Sequence, residues 1–347
     1  MSGLALERRA IDPVEPPSTA GAEFAESMLR ALRSPVRSIA PKYFYDAAGI
    51  ALYERICASQ EYYLTRTEIS ILRERAPQIA QLMGARADLV EFGAGSPLKA
   101  RILLDVLPNP ARYVPIDIAL AHLDGAALDL VRAYPGLTVE PVAADFVRPL
   151  SLPAQRPGDG RRVGLFFGST IGNLSVEQAY RFLAGAALLF TGGGLLVGVD
   201  LVKDPALLHR AYNDAAGITA EFNRNLLARA NRELGADFDL AAFDHYAFYQ
   251  PRAQRIEMHL VSARPQVVHV CGRAFSFAEA ESMQTEISHK YTIEGFRELA
   301  QRAGFRPGPV WCDRQRQFSV HWLAAPAGSA DASGQAPGGG WKVTSSE

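Results

Sequence analysis

From residue 89 to residue 199 the chain alternates short apolar runs with longer amphipathic stretches. Leu89-Val90-Glu91-Phe92 is a compact apolar run, followed by glycine and then a helical stretch from Lys99 to Val106. Tyr113 to Asp117 is a second run, ending in an acid. Thr138 to Val142 is a third, Val163 to Phe167 a fourth and Leu195 to Val199 a fifth, the last entered through Gly192-Gly193-Gly194. Helical spacing fills Ala119 to Tyr134 and Ser175 to Leu189. Continuous apolar strands separated by helices predict an α/β domain with a mainly parallel sheet covered on both faces, because such strands are buried on both sides.

Two regions break the alternation. Thr67 to Met83 carries apolar residues at 69, 72, 76, 79, 80 and 83, which is helical spacing, and aromatic segments precede it at Tyr43-Phe44-Tyr45 and Tyr62-Tyr63. Residues 203–250 read as a long polar and aromatic helical stretch. Arg255 to Ser262 and Gln266 to Gly272 read as strands paired around Ala263-Arg264-Pro265. The pattern therefore divides the chain into a core of residues 66–202 plus 291–325 and a second subdomain of 21–65 plus 203–290. The second is expected to cap the strand ends where open α/β sheets bind ligands. Residues 1–20, interrupted by proline, and 326–347, rich in Gly, Ser and Ala, are expected to be disordered tails.

Composition narrows the partners. The 347 residues carry a formal net charge of -1, without the basic excess of a nucleic-acid binder, and 48% are hydrophobic, enough for a sizeable core. Three scattered cysteines, Cys57, Cys271 and Cys312, form neither a disulfide framework nor a zinc pattern, and Cys57 is expected to be buried and inert. The seven histidines show no HxH or HxxxH spacing, so no metal is expected and they are taken as structural or exposed. With no secretory leader and no apolar stretch of about 20 residues, the expectation is a cytoplasmic, membrane-free monomer without a stable protein partner.

Glu91-Phe92-Gly93-Ala94-Gly95 lies between a strand and a helix; by itself a GxG is a weak signal and equally an ordinary tight turn, and its position beside the residues below gives it weight. Glycines there let the backbone turn and approach a ligand. Asp117, at the end of the next strand, can accept hydrogen bonds from both hydroxyls of a ribose; it can equally start a helix. Asp145-Phe146 can bind an adenine amino group and stack on its ring, or be a loop acid beside a core ring. A dinucleotide fingerprint would need a third glycine where Leu98 stands, which disfavours a nicotinamide oxidoreductase. S-adenosylmethionine has no phosphate to cradle and needs no such glycine.

Long strings carry a resemblance to a family. Phe44-Tyr45-Asp46, Glu61-Tyr62-Tyr63, Phe167-Gly168-Ser169-Thr170-Ile171-Gly172-Asn173-Leu174 and Asp200-Leu201-Val202-Lys203-Asp204 occur in that order. They are followed by the segment from Asp214 to Asn225, then Arg255-Ile256-Glu257-Met258 and Thr285-Glu286-Ile287-Ser288. From about Pro41 to Leu323 the chain resembles bacterial histidine Nα-methyltransferases, which make hercynine in ergothioneine biosynthesis. The resemblance implies a class I S-adenosylmethionine methyltransferase fold, Rossmann-like, with a capping second subdomain. It implies that Gly93, Lys99, Asp117, Asp145 and Phe146 contact S-adenosylmethionine, which leaves as S-adenosylhomocysteine. It implies that Tyr45, Tyr62, Asn173, Tyr212, Met258, Glu286 and Ser288 line a pocket for L-histidine. In that pocket Asn173 and Tyr212 hold the carboxylate, and Glu286 and Ser288 bind the imidazole. Where the family usually has a Ser-Glu-Lys-Thr type segment after the glycine turn, this chain has Ser96-Pro97-Leu98-Lys99-Ala100 and retains the lysine.

The chemistry suits these residue types. Methyl transfer from a sulfonium is an in-line displacement, so positioning supplies much of the acceleration and no strong base is demanded. Glu286 and Ser288, two apart on an extended segment, point the same way. Tyrosine faces tolerate a trimethylammonium product through cation–π attraction. Two other readings stay open: a methyltransferase for another amino acid or small amine, and a non-catalytic cofactor-binding protein.

Overall fold

The computed structural model describes residues 20–118, 120–327 and 342–343. The chain starts with helices α1 (Ala20–Arg33) and α2 (Ala47–Ala58), joined through a 3-10 turn at Pro41–Phe44. Then follow α3 (Leu64–Met83), β1 (Asp88–Phe92), α4 (Leu98–Leu104), β2 (Arg112–Asp117), α5 (Leu120–Ala133), β3 (Thr138–Val139), β4 (Val142–Ala143), β5 (Ser151–Leu152), β6 (Arg162–Phe166), α6 (Val176–Leu189) and β7 (Gly194–Asp200). Next come α7 (Pro205–Tyr212), α8 (Ile218–Leu234) and five strands, β8 (Phe243–Gln250), β9 (Arg255–Ser262), β10 (Gln266–Val270), β11 (Arg273–Phe277) and β12 (Ser282–His289). The last elements are α9 (Ile293–Arg302), β13 (Arg306–Cys312), β14 (Phe318–Ala324) and β15 (Lys342–Val343), which pairs in parallel with β5.

The described residues form two compact units. Unit 1 holds 64–202 and the residues from 290 on; unit 2 holds the residues up to 63 together with 203–289. Unit 1 is built on a sheet in the order β13-β14-β7-β6-β1-β2-β3, with β4 also on β2. β7, β6, β1 and β2 run parallel; β14 is antiparallel to β7, and β13 to β14. Every residue of β1, β6 and β7 is buried, as expected for strands covered on both faces. The chain leaves β1 towards β2 and returns on the other side at β6. The glycine turn after β1 therefore sits at the point where strand order reverses, the usual ligand crevice of an open α/β sheet. At the opposite ends of these strands, the register places Asp88 beside both Arg112 and Arg162. Asp88 accepts from Arg112 Nε and Nη2 at 2.8 Å each and from Arg162 Nε at 2.7 Å.

The third expected strand, Thr138 to Val142, is two short pieces, interrupted at Glu140-Pro141. A proline has no N–H to continue the ladder. Leu98, not Lys99, opens α4, and α3 starts three residues before Thr67.

Unit 2 differs more from expectation. Residues 203–250 are not one helical stretch: after α7 and α8 the chain forms strand β8. β9 does not pair with β10, because its two edges are taken by β8 and β12. β10 pairs instead with β11 across Cys271-Gly272, both with positive φ (49° and 70°), as a two-residue type I′ hairpin turn demands. The expectation of disorder falls on residues outside those described, save residue 20, Pro326-Ala327 and Lys342-Val343. Among the described residues no helix is long and apolar enough to cross a membrane.

Candidate functional site

In unit 1 the candidate cofactor residues gather at the C-terminal ends of β1, β2 and β4. Gly93 takes φ +68°, and a Cβ there would stand 3.6 Å from the Phe146 ring. Asp117 closes β2 beside β4, in register with Ala143, and Asp145-Phe146 follows two residues later. Phe146 is half-buried and packs edge-on against Phe92, Phe166 and Phe182, with centroids 6.2, 5.4 and 6.1 Å away. Asp145 is half-buried too, and its carboxylate accepts the Val147 N–H at 3.1 Å.

The turn is held by its own backbone hydrogen bonds. The N–H groups of Gly93 and Ala94 both donate to the Ile116 carbonyl, at 2.8 and 3.1 Å, and that of Gly95 donates to Gly93 at 2.9 Å. These three N–H groups are engaged within the turn and against the end of β2. The space beside Gly95 is open: an added Cβ would meet nothing within 4 Å. Open space, half-buried acids at two strand ends and a half-buried ring fit a phosphate-free adenosyl group such as that of S-adenosylmethionine.

Glu91, just before the turn, accepts the Tyr113 hydroxyl at 2.6 Å. Burial is the main influence on it and raises its pKa to about 7; the Tyr113 bond and the charge of Lys99 work in the other direction.

Sequence reading missed Glu68. It sits on α3, fully buried, and its oxygens accept the Gly168 N–H at 3.0 and 2.9 Å and Lys99 Nζ at 2.6 Å. It ties the candidate cofactor lysine to the loop after β6, a hundred residues away in sequence. A Cβ on Gly198 of β7 would fall 1.8 Å from the Glu68 carboxylate, so only glycine leaves room for it. The loop is held further by Ser169, a buried non-glycine residue at φ +56°, whose hydroxyl accepts the Asp200 N–H at 2.9 Å. Thr170 Oγ1 donates to the Phe167 carbonyl at 2.8 Å. Backbone in that region is costly unless its surroundings hold it. The loop runs into a 3-10 turn, Thr170–Asn173, that ends on half-buried Asn173.

In unit 2 the candidate substrate residues form a connected set. Tyr45 meets Tyr53 (5.7 Å between ring centroids), Tyr53 meets Tyr62 (6.4 Å) and Tyr62 meets Tyr212 (6.2 Å), all edge-on. The Tyr212 hydroxyl donates to Ser288 Oγ at 2.9 Å. Met258 on β9 and Glu286 on β12 are cross-strand partners, and Ser288 follows Glu286 on the same face. Met258, Tyr212 and Ser288 are buried; Glu286 and Tyr45 are half-buried. Asp46 pins the Tyr45 segment: it caps α2 through the Gly49 N–H (2.7 Å), accepts Asn225 Nδ2 (2.7 Å) and pairs with Arg232. Tyr53 is a second missed residue. Burial above all, with neighbouring ionisable groups, lifts the pKa of Tyr53 and Tyr62 well above the ordinary tyrosine value, so both hydroxyls keep their protons. Cys57 is half-buried rather than buried.

The structure thus joins Tyr45, Tyr62, Tyr212 and Ser288 in one chain of contacts, and Met258 with Glu286 in one strand pair. Asn173 belongs to unit 1, with Gly93, Lys99, Asp117, Asp145 and Phe146.

Comparison with known proteins gives a consistent result. A family model described as "Histidine-specific methyltransferase, SAM-dependent" matches residues 24–325. A histidine N-α-methyltransferase of Mycolicibacterium smegmatis is 42% identical over 310 residues, 85% of this chain and 95% of that protein. One of Mycobacterium tuberculosis is 40% identical over 300 residues, 84% of this chain and 92% of that protein. The ergothioneine biosynthesis protein 1 of Neurospora crassa is 29% identical over 318 residues, which are 86% of this chain but lie within 34% of the longer fungal protein.

Proposed function

The chain belongs to the S-adenosylmethionine-dependent, histidine-specific methyltransferases, and on that premise we propose that it methylates the α-amine of L-histidine three times, forming hercynine for ergothioneine biosynthesis. The observation that carries this reading is the likeness, over nearly their whole length, to relatives that bear the name of that activity.

S-adenosylmethionine supplies a sulfonium-bound methyl group for in-line displacement and leaves as S-adenosylhomocysteine. The chain's own residues bind and orient. Asp117 takes the ribose hydroxyls, Asp145 the adenine amino group, and Phe146 lies against the adenine ring, with Gly93 and Lys99 completing the cofactor contacts. Glu286 accepts an imidazole N–H, and Ser288 bonds the other ring nitrogen. Met258 packs against the ring. Asn173 and Tyr212 hold the substrate carboxylate. Tyr45 and Tyr62 present a hydroxyl and aromatic faces to an amine that becomes a permanent cation, which cation–π attraction favours. Holding nucleophile and methyl carbon in line accounts for the acceleration.

Incubation with S-adenosylmethionine and L-histidine, followed by mass analysis, is expected to show histidine carrying three added methyl groups. Transfer only to some other amine would refute the substrate. Glu286→Ala is expected to raise the KM for histidine by about tenfold or more, the scale of a lost charged hydrogen bond, while the KM for S-adenosylmethionine stays within about twofold. A change confined to the S-adenosylmethionine constant would contradict the role given to Glu286.

A further inference from the structure

Beneath the substrate residues of unit 2 lies a buried side chain that none of the roles above uses. Asn223, on α8, is fully buried, as is its neighbour Thr285 on β12. Asn223 Nδ2 lies 2.9 Å from the His259 carbonyl and 2.9 Å from His245 Nδ1. Asn223 Oδ1 accepts the Thr285 hydroxyl at 2.7 Å. Thr285 Oγ1 also stands 3.1 Å from the Met258 carbonyl. The His259 carbonyl only accepts, so the amide cannot be turned around without setting two oxygens against each other.

This orientation fixes the state of His245. Its Nε2 lies 2.8 Å from the Tyr212 carbonyl, again a pure acceptor, so Nε2 carries the hydrogen. Nδ1 faces the Asn223 NH2 donor and must accept, so the ring is neutral. Burial, aided by the charge of Arg224, lowers the His245 pKa, while the Tyr212 carbonyl and Asp214 oppose that shift. The Tyr212 carbonyl belongs to the last residue of α7, where helix carbonyls have no partner within the helix; His245 supplies one.

The contacts close a circuit. Tyr212 bonds Ser288 through its hydroxyl and His245 through its carbonyl; His245 bonds Asn223, Asn223 bonds Thr285, and Thr285 precedes Glu286 on the strand that also carries Ser288. The ladder between β12 and β9 breaks register between Gln284 and Glu286, leaving Thr285 as the extra residue. Bulges of this kind re-aim the side chains that follow them, and here the residue that follows is Glu286.

We infer that Asn223 is a positioning residue for histidine recognition: it holds the Thr285 bulge that aims Glu286 and, through neutral His245, the end of α7 that carries Tyr212. This inference rests on the proposed substrate. It separates a positioning effect from a merely structural one, because a misaimed pocket weakens histidine use while cofactor use in unit 1 stays as it was.

The test uses the full-length enzyme with Thr285→Val, Thr285→Ser and Asn223→Ala, measuring KM for histidine and for S-adenosylmethionine. Thr285→Val keeps the shape and loses the hydroxyl; it is expected to raise the histidine KM by about fivefold or more, the scale of one lost buried hydrogen bond, with the S-adenosylmethionine KM within about twofold. Thr285→Ser, which restores the hydroxyl, is expected to stay near wild type, and Asn223→Ala to exceed Thr285→Val in the same direction. Should Asn223→Ala fail to fold, the two Thr285 variants decide. A smaller split in Thr285→Val, an equal rise in both constants, or no rescue by serine overturns the inference. A wild type that methylates no histidine removes the premise and the inference with it, a result distinct from an active enzyme indifferent to Thr285.

Discussion

Glu91 carries a pH signature that belongs to a single side chain. Its carboxyl is buried at the end of β1 and its pKa is raised from 4.5 to about 7. Between those values the unfolded chain has released the proton and the folded one has not, so stability falls as pH rises through that window and is level above it. Glu91→Gln stays neutral throughout. Its unfolding free energy is therefore expected to gain on the wild type by about 3 kcal/mol between pH 4.5 and 7, followed by urea denaturation at several pH values. A difference that does not change with pH would contradict the assignment. The neighbouring carboxylate of Glu68 acts by geometry, linking Gly168 and Lys99 across a space that Gly198 leaves open. Nothing in the local sequence around Glu68 announces this, since on α3 it is one acid among several polar helix positions and its partners lie 31 and 100 residues away.

At the scale of elements, α6 shows a boundary written in local sequence. Ser175 caps the helix, its Oγ accepting from the Gln178 N–H at 3.2 Å, while the Gln178 side chain accepts the Ser175 N–H at 2.9 Å. Ser175→Ala is expected to lower stability by about 1 kcal/mol, measured as a shift in urea midpoint at unchanged slope. The parallel strands β1, β2, β6 and β7 of unit 1 were equally legible, because strands covered on both faces read as unbroken apolar runs. The strands of unit 2 were not. β8, Phe-Asp-His-Tyr-Ala-Phe-Tyr-Gln, has only Phe243 and Ala247 buried, a period that a helix stripe imitates. Its strand state is settled by pairing with β9. The wrong partner for β10 had a local remedy: Cys271-Gly272 is a two-residue turn between the apolar runs of β10 and β11, and a turn at Ala263-Arg264-Pro265 competed with it.

Across the whole molecule, unit 1 carries a buried ionic cluster at the end of its sheet away from the glycine turn. Removing the Asp88 carboxylate leaves two nearly fully buried guanidinium groups, those of Arg112 and Arg162, without their shared anion. Asp88→Ala is expected to cost about 3–5 kcal/mol, measured by chemical denaturation, whereas a loss no larger than that of a surface substitution would show the cluster to be dispensable. The alternation of apolar runs, the glycine turn with Asp117 beyond it, and the strings that mark the family were all present in linear order, because strand burial, turn chemistry and family likeness are properties of consecutive residues. That much settled an α/β methyltransferase. The Tyr45-to-Ser288 chain of contacts, the Glu68 link, the bonds of Gly93 and Ala94 to Ile116 and the Asn223 circuit were not there to be read. Each depends on residues tens to hundreds of positions apart that meet only when strands pair and helices pack, and a hydrogen bond is decided by distance and angle in space, which sequence spacing does not encode.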